Sequence, residues 1–142
     1  MPEEITASFC QQIIEKFDKK DLARPVDVIQ EHHAKKLHWD LRFEIDNTLK
    51  SWALPKIPPE KEGERRLAVQ VEDHPLEYAL FEGEIPEGNY GAGQVTIWDR
   101  GTFVMMEREG KKLVVDVKGE KLKGKYCLLH FKPQEKTGYF SN

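Results

Sequence analysis

The stretch His38–Ile45, HWDLRFEI, holds both the fold and the chemistry of this chain. Taken at a period of two, His38, Asp40, Arg42 and Glu44 fall on one face, and Trp39, Leu41, Phe43 and Ile45 on the other. That is the alternation of a β-strand with one face in a core. A strand face that is merely solvated carries Lys, Thr, Glu or Ser. Here an imidazole, a carboxylate and a guanidinium stand in a row, so the polar face is a candidate site.

Outward from this strand lie other short runs rich in β-branched and aromatic residues: VDVIQ (26–30), LKSWAL (49–54), LAVQV (67–71), QVTIWD (94–99), GTFVMME (101–107), KLVVDV (112–117) and KYCLLHF (125–131). Turn residues separate several of them, at Asp46-Asn47, Asp99–Gly101, Arg108–Lys111 and Lys118–Gly124. Strands in this number, joined by hairpin-like turns, predict a mainly β fold: a small antiparallel β-barrel of about eight strands. Pro55–Arg66 and Gly83–Gly93 read as long loops, the first rich in proline and charge, the second in glycine. Upstream, Ile5, Phe9, Ile13, Ile14 and Phe17 recur at helical spacing, with Thr6 or Ser8 as a cap and DKKD (18–21) as a stop. The expected organisation is a helical segment over 1–25 and a β-barrel domain over 26–142.

The chain has 142 residues, 39% hydrophobic and 33% charged, which fits one globular domain able to bury a core. No apolar run is long enough to span a membrane, and the N-terminus lacks the pattern of a signal peptide. Cys10 and Cys127 show no metal-ligand spacing and are expected to be reduced thiols, in keeping with a cytoplasmic protein. The formal net charge of −3 argues against a protein that holds nucleic acid by a broad positive field. Any such contact must be local, as in an enzyme that grips only the end of a strand.

His38 and Asp40, two residues apart, aim at one point from a strand, and His32 or His33 just upstream supplies a third ligand. Two imidazoles and a carboxylate suit Mn²⁺, Fe²⁺ or Zn²⁺ and leave coordination positions open. Arg42 on the same face can bind a phosphate and disfavours a second cation, so an anionic substrate is expected. Glu44 either pairs with Arg42 or sits at the edge of the site. His74, at the end of the strand LAVQV, is either a second functional residue or part of a turn held by Asp73 and Pro75. His38, Asp40 and His130 could also be read as the facial triad of an Fe(II) oxygenase. A non-catalytic module that binds nucleic-acid ends is a third reading.

Three runs carry a family resemblance: IQEHHAKKLHWDLRFEIDNTLKSWALPK, RRLAVQVEDHPLEYALFEGEIPEGNYGAGQVTIWDRGTF and LKGKYCLLHFK. Together, over about residues 27–132, the chain resembles the 3′-phosphoesterase domain of bacterial DNA ligase D, in a stand-alone form. The resemblance implies a small β-barrel with a polar concave site. It implies a Mn²⁺-dependent enzyme that removes a 3′-terminal ribonucleoside, then the remaining 3′ phosphate, from DNA or RNA primer-template ends. A DNA ligase in the same pathway is the implied partner, and a monomer is expected. Carried over residue by residue, His32, His38 and Asp40 match the metal ligands, and Arg42 and His74 match phosphate-site residues. Lys56 and Arg66 match further basic positions, and Gln30, Glu72 and Tyr78 match polar positions near the site. Residues 1–25 lack a clear counterpart of the family's RDF-like motif, and the C-terminus reads TGYFSN where members read like NWLLIK.

Overall fold

The computed structural model describes residues 2–89, 91–130 and 136–142, with side chains from residue 9 onward. Its elements run α1 (Pro2–Lys16), β1 (Val26–His33), β2 (Leu37–Ile45), β3 (Thr48–Leu54), β4 (Arg65–His74), β5 (Gly83–Ile85), β6 (Gly93–Glu109), β7 (Lys112–Gly119), β8 (Lys123–His130) and β9 (Thr137–Ser141), with a 3₁₀ helix at Leu76–Leu80. The strands pair antiparallel in the order β1-β2-β3-β4-β9-β8-β7-β6, and β1 pairs with β6 to close an eight-stranded barrel, to whose β6 the short β5 is added. This is the expected mainly β barrel with one short N-terminal helix. Among the described residues, no helix is long and apolar enough to cross a membrane.

The strand count agrees with the sequence reading, but its make-up differs. QVTIWD and GTFVMME are one strand, β6, with no turn at Asp99–Gly101. The first half of β6 pairs with β1 and the second with β7, so one bent strand carries the sheet round to closure. Asp99 looks like a turn residue and serves a different turn. Its Oδ1 accepts from the backbone amides of Glu120 and Lys121, both at 2.8 Å, and its Oδ2 from Leu122 at 2.9 Å. Gly101 is bare because a Cβ there would lie 2.1 Å from the carbonyl oxygen of Lys118. The eighth barrel strand is β9, from the C-terminal TGYFS, which bridges β4 and β8. β4 begins at Arg65 inside the expected loop, and β5 lies in the other one. Thr6 and Ser8 fall within α1 rather than at its start. Phe131 of the late strand run lies outside the described residues.

The Asp46-Asn47 hairpin behaves as read: both residues have positive φ, 55° and 63°, the conformation of a two-residue turn matched to strand twist. From it, β2 and β3 run back in register, and Trp39, Leu41, Phe43 and Ile45 enter the barrel with Trp52, Leu54, Phe103, Tyr126, Leu128 and Phe140. A second apolar cluster covers the outside of the wall. In it Ile13 of α1, with Leu76, Tyr78, Ala79 and Phe81, packs on Val28, Leu49 and Val95. Phe9 and Phe17, one helical turn either side of Ile13, join the same cluster. The polar face of β2 therefore lies on the outer wall, where Asp40 and Arg42 are buried and Tyr78 of the 3₁₀ helix lies against Arg42.

Candidate metal and phosphate site

The β1–β2 hairpin builds the site by register alone. His32 lies opposite His38, and Gln30 opposite Asp40, so four polar side chains stand in two adjacent rows on the outer face. No swing of the chain is needed to bring His32 in, because β1 runs unbroken through His33 and the turn is only residues 34–36. Ligand atoms of His32, His38 and Asp40 all lie within 4.8 Å of one another. Nδ1 of His32 is 3.4 Å from Asp40 Oδ2, and Nε2 of His38 is 3.3 Å from the same oxygen. His38 is held from behind by its Nδ1, 3.0 Å from the carbonyl of Lys36. Two imidazoles and a carboxylate converging in this way are a donor set suited to a divalent transition metal, with positions left for substrate.

Arg42 occupies the next position on the strand and is buried. Its Nε donates to Gln30 Oε1 at 2.7 Å and its Nη1 to Ser51 Oγ at 2.8 Å, while Nη2 lies 3.4 Å from Asp40 Oδ2. The guanidinium lies over the ring of Tyr78, 4.9 Å from its centroid. Gln30 is itself clamped, its amide donating to the carbonyls of Tyr78 and Phe81. Burial opposes ionisation of Asp40, but the charge of Arg42 and the two imidazoles beside it outweigh this and hold its carboxyl well below the usual carboxylate range. The bond to Asp40 raises His38.

His74 ends β4, opposite Leu49, and is brought to Arg42 by an irregularity in the β3–β4 register. Its Nδ1 is 3.1 Å from Arg42 Nη1 and 3.0 Å from the carbonyl of Glu72. One ring nitrogen serves only one of these at a time: it accepts from Arg42 or donates to Glu72. Burial, and then the charge of Arg42, lower the His74 pKa to about 3, so the ring is neutral at physiological pH. Its ring packs 4.6 Å from that of Tyr78, whose phenol burial pushes up to about 12.

The structure thus brings together His32, His38, Asp40, Arg42, Gln30, His74 and Tyr78. Glu72 enters through its backbone carbonyl while its side chain is exposed. Lys56 follows β3 at the end of the sheet where His38 begins β2, and its side chain is exposed. Arg66 is tied to its own loop, with Nε donating to the Ile57 carbonyl at 2.6 Å and Nη1 to that of Arg65. Glu44 does not pair with Arg42; it accepts from Arg24 and from the amide of Val26. His33 points away, to Glu31. His130 is removed from the oxygenase reading because its Nε2 accepts from the indole of Trp52, a residue of the barrel interior. Ser51 was missed. Its signal was a lone hydroxyl on the Leu49-Ser51-Ala53 face of β3, and its position opposite Arg42 gives that hydroxyl a purpose.

The protein is thus a closed β-barrel whose outer wall carries a His-His-Asp cluster of metal-ligand geometry beside a caged arginine. Residues 30–130 match the DNA Ligase D 3′-phosphoesterase domain, and the chain belongs to that family. It is 53% identical over 106 residues to the multifunctional non-homologous end joining protein LigD of Pseudomonas aeruginosa, covering 71% of this chain and 13% of that protein. To the protein of the same name from Mycolicibacterium smegmatis it is 47% identical over 116 residues, covering 74% and 15%. The multifunctional non-homologous end joining DNA repair protein LigD of Mycobacterium tuberculosis is 47% identical over 106 residues, covering 72% and 14%. The match spans about one seventh of these relatives' length, the part that corresponds to a single domain.

Proposed function

We propose that this protein is a Mn²⁺-dependent 3′-end-healing phosphoesterase. It removes a 3′-terminal ribonucleoside and then the 3′ phosphate from DNA or RNA primer ends, leaving the 3′ hydroxyl that a DNA ligase of an end-joining pathway requires. The observation that carries this reading is the convergence of His32, His38 and Asp40 directly beside Arg42 on one wall. A metal cluster alone fits many chemistries; a guanidinium within reach of the ligand carboxylate selects an anionic substrate.

His32, His38 and Asp40 would hold the ion, which when bound supplies Lewis-acid polarisation of a phosphoryl group. Arg42 contributes a fixed positive charge where charge builds up in the transition state, and Gln30, Ser51 and Tyr78 keep it from moving. His74 acts as a neutral hydrogen-bond donor through Nε2 when Nδ1 accepts from Arg42; its low pKa disfavours the role of a charged acid. Lys56, exposed at the His38 end of the sheet, meets the strand beyond its terminal phosphate, whereas Arg66 is engaged by its own loop. In the monoesterase step water adds to phosphorus and the ester oxygen leaves as the 3′ hydroxyl.

With a net charge of −3 the protein offers no broad basic field to a long duplex, which favours action at ends. The test compares one labelled primer bearing a 3′ phosphate, a 3′ ribonucleotide or a 3′ deoxynucleotide, with Mn²⁺ and with chelator. The phosphate should be released and the ribonucleotide end trimmed only with metal, while the deoxynucleotide end stays largely intact. Metal-independent turnover, or cleavage inside the strand, refutes the reading.

A further inference from the structure

His32 makes two polar contacts with its two ring nitrogens. Nδ1 faces Asp40, and Nε2 lies 2.6 Å from the carbonyl oxygen of Gly91. Two bare acceptors do not approach so closely, so the Nε2 position must carry the proton. The imidazole is buried. Gly91 lies in the loop between β5 and β6, far from His32 in sequence, and has φ +78°. A Cβ on it would meet His32 Cε1 at 3.2 Å, so both its backbone conformation and its closeness to the ring ask for glycine. Two residues on, a Cβ at Gly93 would lie 2.2 Å from the carbonyl of His33, so this loop is seated on the end of β1 by two bare backbone positions.

We propose that the Gly91 carbonyl is a positioning group for the metal centre: by accepting from His32 Nε2 it locks the ring in the tautomer whose bare Nδ1 faces Asp40 and His38. The inference rests on the metal-site reading and adds to it a residue outside the ligand motif. It also makes the two histidines inequivalent. His32 offers Nδ1 with Nε2 tied to Gly91, whereas His38 offers Nε2 with Nδ1 tied to Lys36. A ligating histidine whose other nitrogen is bound in this way is oriented and made more basic, and loss of such a partner typically lowers metal affinity by about 10–100-fold.

The test measures Mn²⁺ binding by calorimetry on the full chain. Gly91→Ala should weaken binding by about tenfold or more. Gly88→Ala is the control: it has the same kind of positive φ, +90°, but its Cβ would meet nothing within 4 Å, and it should bind Mn²⁺ as the parent does. The amide of asparagine reaches as far as an imidazole Nδ1 and that of glutamine as far as Nε2. His32→Asn should therefore keep more affinity than His32→Gln, and at His38 the order should reverse. Nitrogen-15 spectra of the metal-free protein at pH 8 should show the His32 proton on Nε2, a readout that needs no variant to fold. Unchanged affinity in Gly91→Ala, an equal loss in Gly88→Ala, or a proton on Nδ1 in place of Nε2 overturns the proposal. Mn²⁺ binding with this pattern but no release of phosphate upholds it and refutes the phosphoesterase reading instead.

Discussion

Asp40 accepts approaches from three cationic or potentially cationic side chains on one oxygen, Oδ2. Replacing it with alanine takes the carboxylate away from buried Arg42 and removes the one anionic member of the proposed ligand set. Asp40→Ala and His38→Ala should each abolish Mn²⁺ binding and phosphate release, checked by calorimetry and by turnover of a 3′-phosphorylated primer. Full activity of the His38 variant would remove it from the ligand set. Arg42 poses a different problem, because its guanidinium fills a cage that donates nothing back. Arg42→Lys keeps the charge but leaves Gln30 Oε1 or Ser51 Oγ without its donor, and one ammonium does not reproduce the planar fork. A loss of more than about 2 kcal/mol in transition-state stabilisation is expected for both Arg42→Ala and Arg42→Lys. Activity near that of the parent with lysine would show that position 42 needs only a charge. Since removing one member of a buried charged pair costs about 3–5 kcal/mol of stability, these rates must be read beside an unfolding curve.

At the scale of elements, the barrel closes through β6, and the 120–122 turn between β7 and β8 hangs on Asp99. Three backbone amides donate to its carboxylate. Asp99→Ala should lower stability by on the order of 3 kcal/mol, measured by urea unfolding, because the buried amide of Leu122 and the part-buried amides of Glu120 and Lys121 then lose a charged acceptor. A change of only a few tenths would mean that the turn is held by β7–β8 pairing alone. Helix α1 is held to the barrel by apolar burial: Ile13 is 3% exposed within the outer cluster. Ile13→Ala should cost about 2–5 kcal/mol if α1 is docked in solution as it is here. A loss much below that range would show that α1 lifts away from the 3₁₀ helix at little cost.

At the scale of the whole molecule, one charge is out of place. Asp27 is buried beside Asp99, and its Oδ1 has no hydrogen-bond partner among the described residues. Burial, and then the charge of Asp99, push its carboxyl up from 3.8 to about 7. A carboxyl raised in the folded state binds its proton more tightly than in the unfolded chain. Its contribution to stability is therefore fully present below the unfolded value of 3.8 and is lost as pH rises through about 7. Asp27→Asn removes this dependence. The variant should gain stability relative to the parent as pH rises from 4 to 7, by a few kcal/mol in all, and the gain should level off above that window. A stability difference independent of pH would show that Asp27 titrates normally.

Much of this protein was legible in one strand and its neighbours. The period-two alternation of HWDLRFEI follows from strand geometry and requires no tertiary information. It placed His38, Asp40 and Arg42 on one face, and the Asp-Asn turn fixed where β3 must begin. Local chemistry is enough for this, because a strand's faces and a hairpin's register are short-range properties. What only the tertiary structure decided is every contact that crosses the chain. His74 reaches Arg42, the Gly91 carbonyl reaches His32, and Asp99 leaves its apparent turn to hold another. His32 prevailed over His33 because β1 stays extended to the hairpin, which sets the face of each. Whether a polar face is solvated or buried was also beyond the strand itself: Asp40 and Arg42 are buried, with Tyr78 of the 3₁₀ helix brought against Arg42 from outside the barrel, and charges interact strongly in such a place.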